Sequence, residues 1–97
     1  MKGKTKSGFK FDIDERIFDD WYFLEAIAKA DNSENPSAML AGTVELVNLM
    51  FGDDKTKLLE HIKSKNDGFA PQEVVKAEIL DIIEQSKNLK NSSSSEG

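Results

Sequence analysis

The chemically versatile side chains of this sequence are few: His61 is the only histidine, and there is no cysteine. His61 lies between Glu60 and Ile62 in a lysine-rich stretch, with no second imidazole or thiol to complete a metal site. That context predicts a surface or boundary histidine. A nucleophilic relay would need a serine and a carboxylate at positions that the spacing does not specify. The acidic pairs Asp19-Asp20 and Asp53-Asp54 are candidates for acid–base dyads or hard-metal ligands. Adjacent helical positions diverge by about 100°, however, and acids in first turns commonly cap helices, so capping and solubility account for both pairs. The stretch Asp54-Lys55-Thr56-Lys57 has no glycine-rich loop before it and lacks the amides that cradle phosphate. These residues predict no catalytic, cofactor-binding or metal site, and the chain reads as a protein other than an enzyme.

The aromatic residues are concentrated in Asp14 to Asp31, which holds the only Trp, the only Tyr and two of the six Phe. Numbered as one helix, Ile17, Trp21, Leu24 and Ala28 share a face, and Phe18, Tyr22, Phe23 and Ile27 widen the apolar arc. Asp14 is the predicted N-cap, with Glu15 beside the positive end of the helix dipole. This spacing predicts a central helix with Trp21 in the core. A cofactor or peptide pocket is the other use for such a cluster, and core is the reading that a small domain favours.

The elements around it follow from punctuation. Residues 1–7, with Lys2, Lys4 and Lys6, show no periodicity and are expected to be mobile. Gly8 to Ile13 alternates Phe9, Phe11 and Ile13 with Lys10 and Asp12, the pattern of a half-buried strand. Its partner is either the segment Asp67 to Ala70 or none, the segment then being an extended arm on the helices. Pro36 opens a second helix to about Phe51, with Leu40, Val44, Val47 and Phe51 on one face and Met39, Thr43, Leu46 and Met50 on the next. Gly42 inside it implies a backbone crossing nearby, and Gly52 closes it. Asp53 or Asp54 caps a third helix to about Lys65, with Leu58, Leu59 and Ile62 inward. After the Asn66-Asp67-Gly68 turn, Pro71 opens a fourth helix to about Leu89, with Val75, Ile79, Ile82 and Ile83 buried and Gln72, Glu73, Lys76, Glu78 and Asp81 wet. Residues 90–97, rich in serine, are expected to be disordered. The predicted fold is mainly α: one domain over residues 8–89, a bundle of about four helices, with a short two-stranded β element if Gly8–Ile13 pairs with Asp67–Ala70.

Length and charge set limits. With 97 residues, 38% of them hydrophobic and 32% charged, the chain makes a single small domain. No apolar run is long enough to cross a bilayer, and no signal-like segment follows the N-terminal lysines, so a cytoplasmic location and no membrane partner are expected. A net charge of −5 opposes a polyanion, which argues against nucleic acid. The two apolar faces of the second helix exceed what short helices can cover, which implies a partner or a second copy of the chain. Phe18, Tyr22, Met39, Leu46, Met50 and Phe51 are the residues expected to meet it.

The order of segments resembles the tail assembly chaperones of long-tailed phages and prophages. The similarity covers most of the ordered chain. It runs from the aromatic start Gly8-Phe9-Lys10-Phe11-Asp12-Ile13, through Asp20-Trp21-Tyr22-Phe23-Leu24-Glu25-Ala26-Ile27 and a polar loop with Pro36, to Leu49-Met50-Phe51-Gly52, Lys57-Leu58-Leu59-Glu60-His61-Ile62, Asp67-Gly68-Phe69 and a last amphipathic helix. The resemblance implies a small helical protein that keeps the tape-measure protein soluble while tail-tube subunits assemble, and that is absent from the finished virion. The tape-measure protein is then the expected partner, with the tail-tube protein a second. Many members also have a longer, frameshifted form, and Ser86-Lys87-Asn88 and Leu89-Lys90-Asn91 are compatible with a slippery heptamer. The alternative from the residues alone is a small acidic helical adaptor or regulatory protein that binds a partner helix.

Overall fold

Lys2–Lys4 and Lys10–Asp12 form strands β1 and β2 in the computed structural model, which describes the backbone of residues 1–96 and the side chains of residues 1–88. The strands are antiparallel, with Lys2 opposite Asp12, Gly3 opposite Phe11 and Lys4 opposite Lys10. This corrects two expectations: residues 1–7 are structured, and the partner of the aromatic strand is not Asp67–Ala70. A hairpin closes a far shorter loop than a pairing across more than fifty residues, and the entropic cost of closure grows with loop length. The distal segment is also unsuited to a strand, because Asp67 and Gly68 both have positive φ, 54° and 85°. At Gly3 a Cβ would lie 2.6 Å from Cζ of Phe11, so glycine lets that ring fold across the facing strand and into the core.

The aromatic stretch is two elements rather than one helix. Asp14 caps a 3₁₀ turn over Glu15–Asp19, Asp20 is extended, and helix α1 starts afresh over Trp21–Ala30 with the Asp20 carboxylate accepting from the Tyr22 amide at 2.9 Å. The break resets the helical phase. Phe23, Ala26 and Ala30 are buried, whereas Trp21 and Tyr22 are 68% and 69% exposed and Leu24 is exposed with them. The placement of Trp21 in the core is therefore overturned, because its alignment with Ile17 assumed an unbroken helix.

Asn35 and Pro36 start the next helix as the sequence implies: the Asn35 side chain accepts from the Ala38 amide at 3.1 Å, and α2 runs Pro36–Phe51. Gly42 is the crossing point with α1. A Cβ there would lie 2.4 Å from the Ala30 nitrogen and 2.7 Å from the Ala26 carbonyl oxygen. Gly52, with φ of 54°, ends α2 and leads through a 3₁₀ turn, Gly52–Asp54, into α3, Lys55–Lys65. Neither Asp53 nor Asp54 makes the expected cap; Asp54 sits at the cap position without a side-chain bond and pairs with Lys57 at 3.6 Å.

The last helix, α4, spans Gln72–Glu96, past the end expected at Leu89. Its backbone thus continues through residues 90–96 of the serine-rich segment expected to be disordered, while Gly97 and the side chains of residues 89–97 lie outside the described residues. Val75, Ile79, Ile82 and Ile83 are buried as predicted, and they meet Phe23 of α1, Leu46 of α2, Leu58 and Ile62 of α3, and Phe11 of β2 in one core. The fold is thus mainly α with a short β hairpin. No helix of the described residues is long and apolar enough to cross a membrane.

Two substitutions separate these assignments by stability. Replacing Gly42 with Ala gains about 1 kcal/mol of helix propensity, but overpacking of this kind costs about 1–3 kcal/mol, and here the obstruction is backbone rather than a pliable side chain. Gly42→Ala is expected to lower the melting temperature; an equal or higher value would contradict the close crossing. Trp21→Ala is expected to change stability by no more than about 0.5 kcal/mol, and a loss of a core-like 3 kcal/mol or more would contradict the broken helix.

Candidate functional site

The residues expected to meet a partner do not form one surface. Leu46 and Met50 belong to the core and are unavailable, Phe18, Met39 and Phe51 are half-buried, and only Tyr22 is exposed. Phe18 packs edge-on to Phe23 with centroids 5.4 Å apart, and Phe51 edge-on to Phe9 at 6.1 Å. The cause lies in α2. It is apolar around most of its circumference, and α1 and α4 happen to cover the row containing Leu46 and Met50. The uncovered row is Leu40 and Val44, 49% and 52% exposed.

Those two residues border a groove between α2 and the Gln72–Lys87 part of α4, made of three adjoining clefts that meet at Thr43. One, of about 270 Å³, is lined by Leu40, Val44, Val47, Leu59, Ala70 and Val75 with Lys55 at its rim. A second, of about 250 Å³, lies between Met39 and Leu40 on one side and Gln72, Glu73 and Lys76 on the other. The third, of about 200 Å³, runs between Ile27, Leu46, Ile79, Leu80 and Ile83, with Lys76, Lys87 and Asp31 around it. Thr43 adds no polar demand to the floor, because its hydroxyl donates to the Met39 carbonyl at 2.9 Å within the helix. From Gln72 to Lys87 the groove follows roughly 22 Å of α4 at 1.5 Å per residue. Its dimensions suit about four turns of an amphipathic helix, with apolar side chains at i, i+3, i+4 and i+7 entering the clefts.

A second constellation lies at the hairpin turn, and the sequence reading missed it. Glu78, expected to be wet, is only 6% exposed. Its carboxylate accepts from the buried Thr5 hydroxyl at 3.0 Å and from the Ser7 hydroxyl, while Ser7 Oγ also lies 3.0 Å from His61 Nε2. Beside it the Lys6 amide donates to Asp81 at 2.7 Å, and the Gln85 amide donates to the Lys4 carbonyl at 3.0 Å and to Asp81 at 3.1 Å. Glu78, Asp81 and Gln85 recur at i, i+3 and i+7, a polar stripe beside the apolar face of α4, and that spacing is the signal that could have revealed them. In a charge relay the imidazole stands between hydroxyl and carboxylate. Here the hydroxyl stands between imidazole and carboxylate, and a second hydroxyl, that of Thr5, shares the same oxygen. The arrangement consequently commits the Ser7 proton to Glu78 and ties the hairpin to α3 and α4. Among the described residues, no buried side-chain nitrogen or oxygen lacks a hydrogen-bond partner, and no group of three or more acidic or histidine side chains is placed to hold a metal ion.

Two carboxyl groups are perturbed. Hydrogen bonds from the Arg16 side chain and backbone amide hold exposed Asp14 at about 2. Burial opposes ionisation of Asp81, but the Lys6 amide, the Gln85 amide and the Lys6 charge outweigh it and leave its pKa below the ordinary carboxylate value. Compared with protein-family models, with curated proteins and with solved structures, the chain matches none.

The Asp81 shift gives the hairpin a pH dependence. A carboxyl group with a depressed folded pKa contributes stability that is present above its unfolded value and is lost as the pH falls through the folded one. Hydrogen exchange at the Lys6 amide, corrected for its intrinsic pH dependence, is expected to show strong protection at neutral pH and a loss of protection below about pH 4. Asp81→Asn is expected to flatten that profile. Unchanged protection of the unaltered chain across this range would contradict the role assigned to Asp81.

Proposed function

We propose that this protein is a tail assembly chaperone of a long-tailed phage or prophage, acting in the host cytoplasm to keep the tape-measure protein soluble until tail-tube subunits assemble around it. The observation that supports this reading best is the groove between α2 and α4. It offers apolar clefts that adjoin at Thr43, exposed Leu40, Val44 and Leu80 along its edges, and a length suited to a helical segment of a partner. A tape-measure chain is long, helical and prone to aggregate when its apolar stripes are uncovered. Covering one stripe at a time requires a reversible hydrophobic site and no bond chemistry. The choice of this family rests on the resemblance in segment order, Gly8-Phe9 to the last amphipathic helix, and the groove supports only the helix-binding part of the role.

Co-expression tests it. A tape-measure fragment made alone is expected to be insoluble, and with this protein it is expected to appear in the soluble fraction as a complex that survives about 0.5 M salt, since an apolar contact is little screened. Leu40→Asp with Val44→Asp, both on the exposed row and outside the core, is expected to leave the fold intact and return the fragment to the pellet. Equal insolubility of the fragment with and without the unaltered protein would contradict the proposal.

A further inference from the structure

A further cleft lies apart from the apolar groove. It lies where the β hairpin meets the junction of α2 and α3, has a volume of about 480 Å³, and is lined by Lys2, Lys4, Lys10 and Lys57 together with the aromatic residues Phe9, Phe11 and Phe51. In a chain with a net charge of −5 this is a local inversion of sign. Lys4 and Lys10 are also directly opposite each other across the two strands. Facing residues in an antiparallel pair have Cβ atoms about 4.5–5.5 Å apart, and like charges at such positions are destabilising. Among the described residues neither lysine has an ion pair, although Lys57 has Asp54 at 3.6 Å. A multiply charged anion seated between them would relieve this repulsion.

We infer that the hairpin cleft is a binding site for a small anion with a flat aromatic body, the chemical class of a nucleoside diphosphate. The phosphates sit between Lys4 and Lys10, with Lys2 and Lys57 adding charge, and the planar body rests against Phe9 and Phe51. The volume is that of a small-molecule site. Lysines act as point charges, so the site reads charge density rather than bidentate geometry. A polyanionic strand is the poorer occupant, because Asp12 and Asp54 line the same cleft and confine the positive potential to it. The floor is rigid enough to serve: Phe9 is held edge-on by Phe51 and tilted against His61 with centroids 5.4 Å apart, and the turn beside it is tied to Glu78. This inference stands apart from the proposed chaperone role, which uses the groove between α2 and α4.

ADP and the full chain test it by NMR titration at low salt. The expected result is saturable binding with a dissociation constant of about 1 mM or tighter, with shifts concentrated at the amides of Lys4, Phe9 and Lys10. Pyrophosphate is expected to bind more weakly than ADP, because it leaves the rings uncovered. Lys4→Gln with Lys10→Gln is expected to weaken ADP roughly fivefold or more, with the Lys6 amide still protected as a sign that the hairpin is intact. Lys57→Gln, on α3 and outside the hairpin, is expected to weaken it in the same direction, so the test does not depend on the hairpin variant folding. The inference is overturned if ADP at several times 1 mM produces no saturable shift, if both lysine variants bind as the parent does, or if a single-stranded oligonucleotide binds more tightly per phosphate than ADP.

Discussion

The close approach of two backbones at Gly42 governs the arrangement of the helices. A helix with apolar residues around most of its circumference has no preferred buried face of its own, and α2 is such a helix. What orients it is the contact in which Ala26 and Ala30 of α1 press against the bare Cα of Gly42, closer than any Cβ would permit. With that contact made, Leu46, Val47 and Met50 fall into the core beside Ile79 and Ile83, and Leu40 and Val44 are left outside. The groove is the consequence. Small residues at a helix crossing here do two things: they let α1 and α2 pack closely, and they decide which apolar row remains available to a partner. The exposed Lys29–Glu45 pair across the same two helices, at 3.0 Å, contributes little beside this, as surface ion pairs do.

The hairpin is attached on different terms. β1 carries no large apolar side chain, and two strands alone are marginal in water. Phe11 supplies the hydrophobic anchor. The rest of the attachment is polar: hydroxyls of Thr5 and Ser7 on the Glu78 carboxylate, the Lys6 amide on Asp81, and the Lys4 carbonyl on Gln85. Such a cluster is costly if half satisfied and specific when complete, and here each buried member finds a partner. It also explains how a buried carboxylate can sit beside the apolar face of α4.

What the sequence disclosed followed its punctuation. Asn35-Pro36 and Gly52 bracket α2 because a cap, a fixed φ and a positive φ are local requirements that no distant contact overrides, and Gly42 marked its crossing because a glycine inside a helix costs propensity unless another backbone needs the space. The apolar face of α4 was legible from period alone. Asp20 was misread because two residues able to cap, Asp14 and Asp20, lie six positions apart, and an apolar pattern continuing past the second conceals the break. β1 was invisible because Lys2, Gly3 and Lys4 show no hydrophobic alternation; the strand exists through backbone pairing and through the Gln85 amide, which donates to the Lys4 carbonyl from 81 residues away. Of the candidate site, the surplus of apolar surface on α2 could be seen, but its row could not, since that depends on which neighbours cover it. Leu46 and Met50 were assigned outward, and Leu40 and Val44 prove to be the exposed ones.

The central claim is that the groove between α2 and α4 accepts an apolar helix. A hydrogen-exchange footprint with a helical tape-measure segment bound tests it most directly. New protection centred on Leu40 and Val44 of α2 and on Lys76 to Leu80 of α4, with the amides near Trp21 and in the hairpin unchanged, is the predicted result. Protection centred instead on Trp21 and Tyr22, or on β1 and β2, with none along α2, would contradict it.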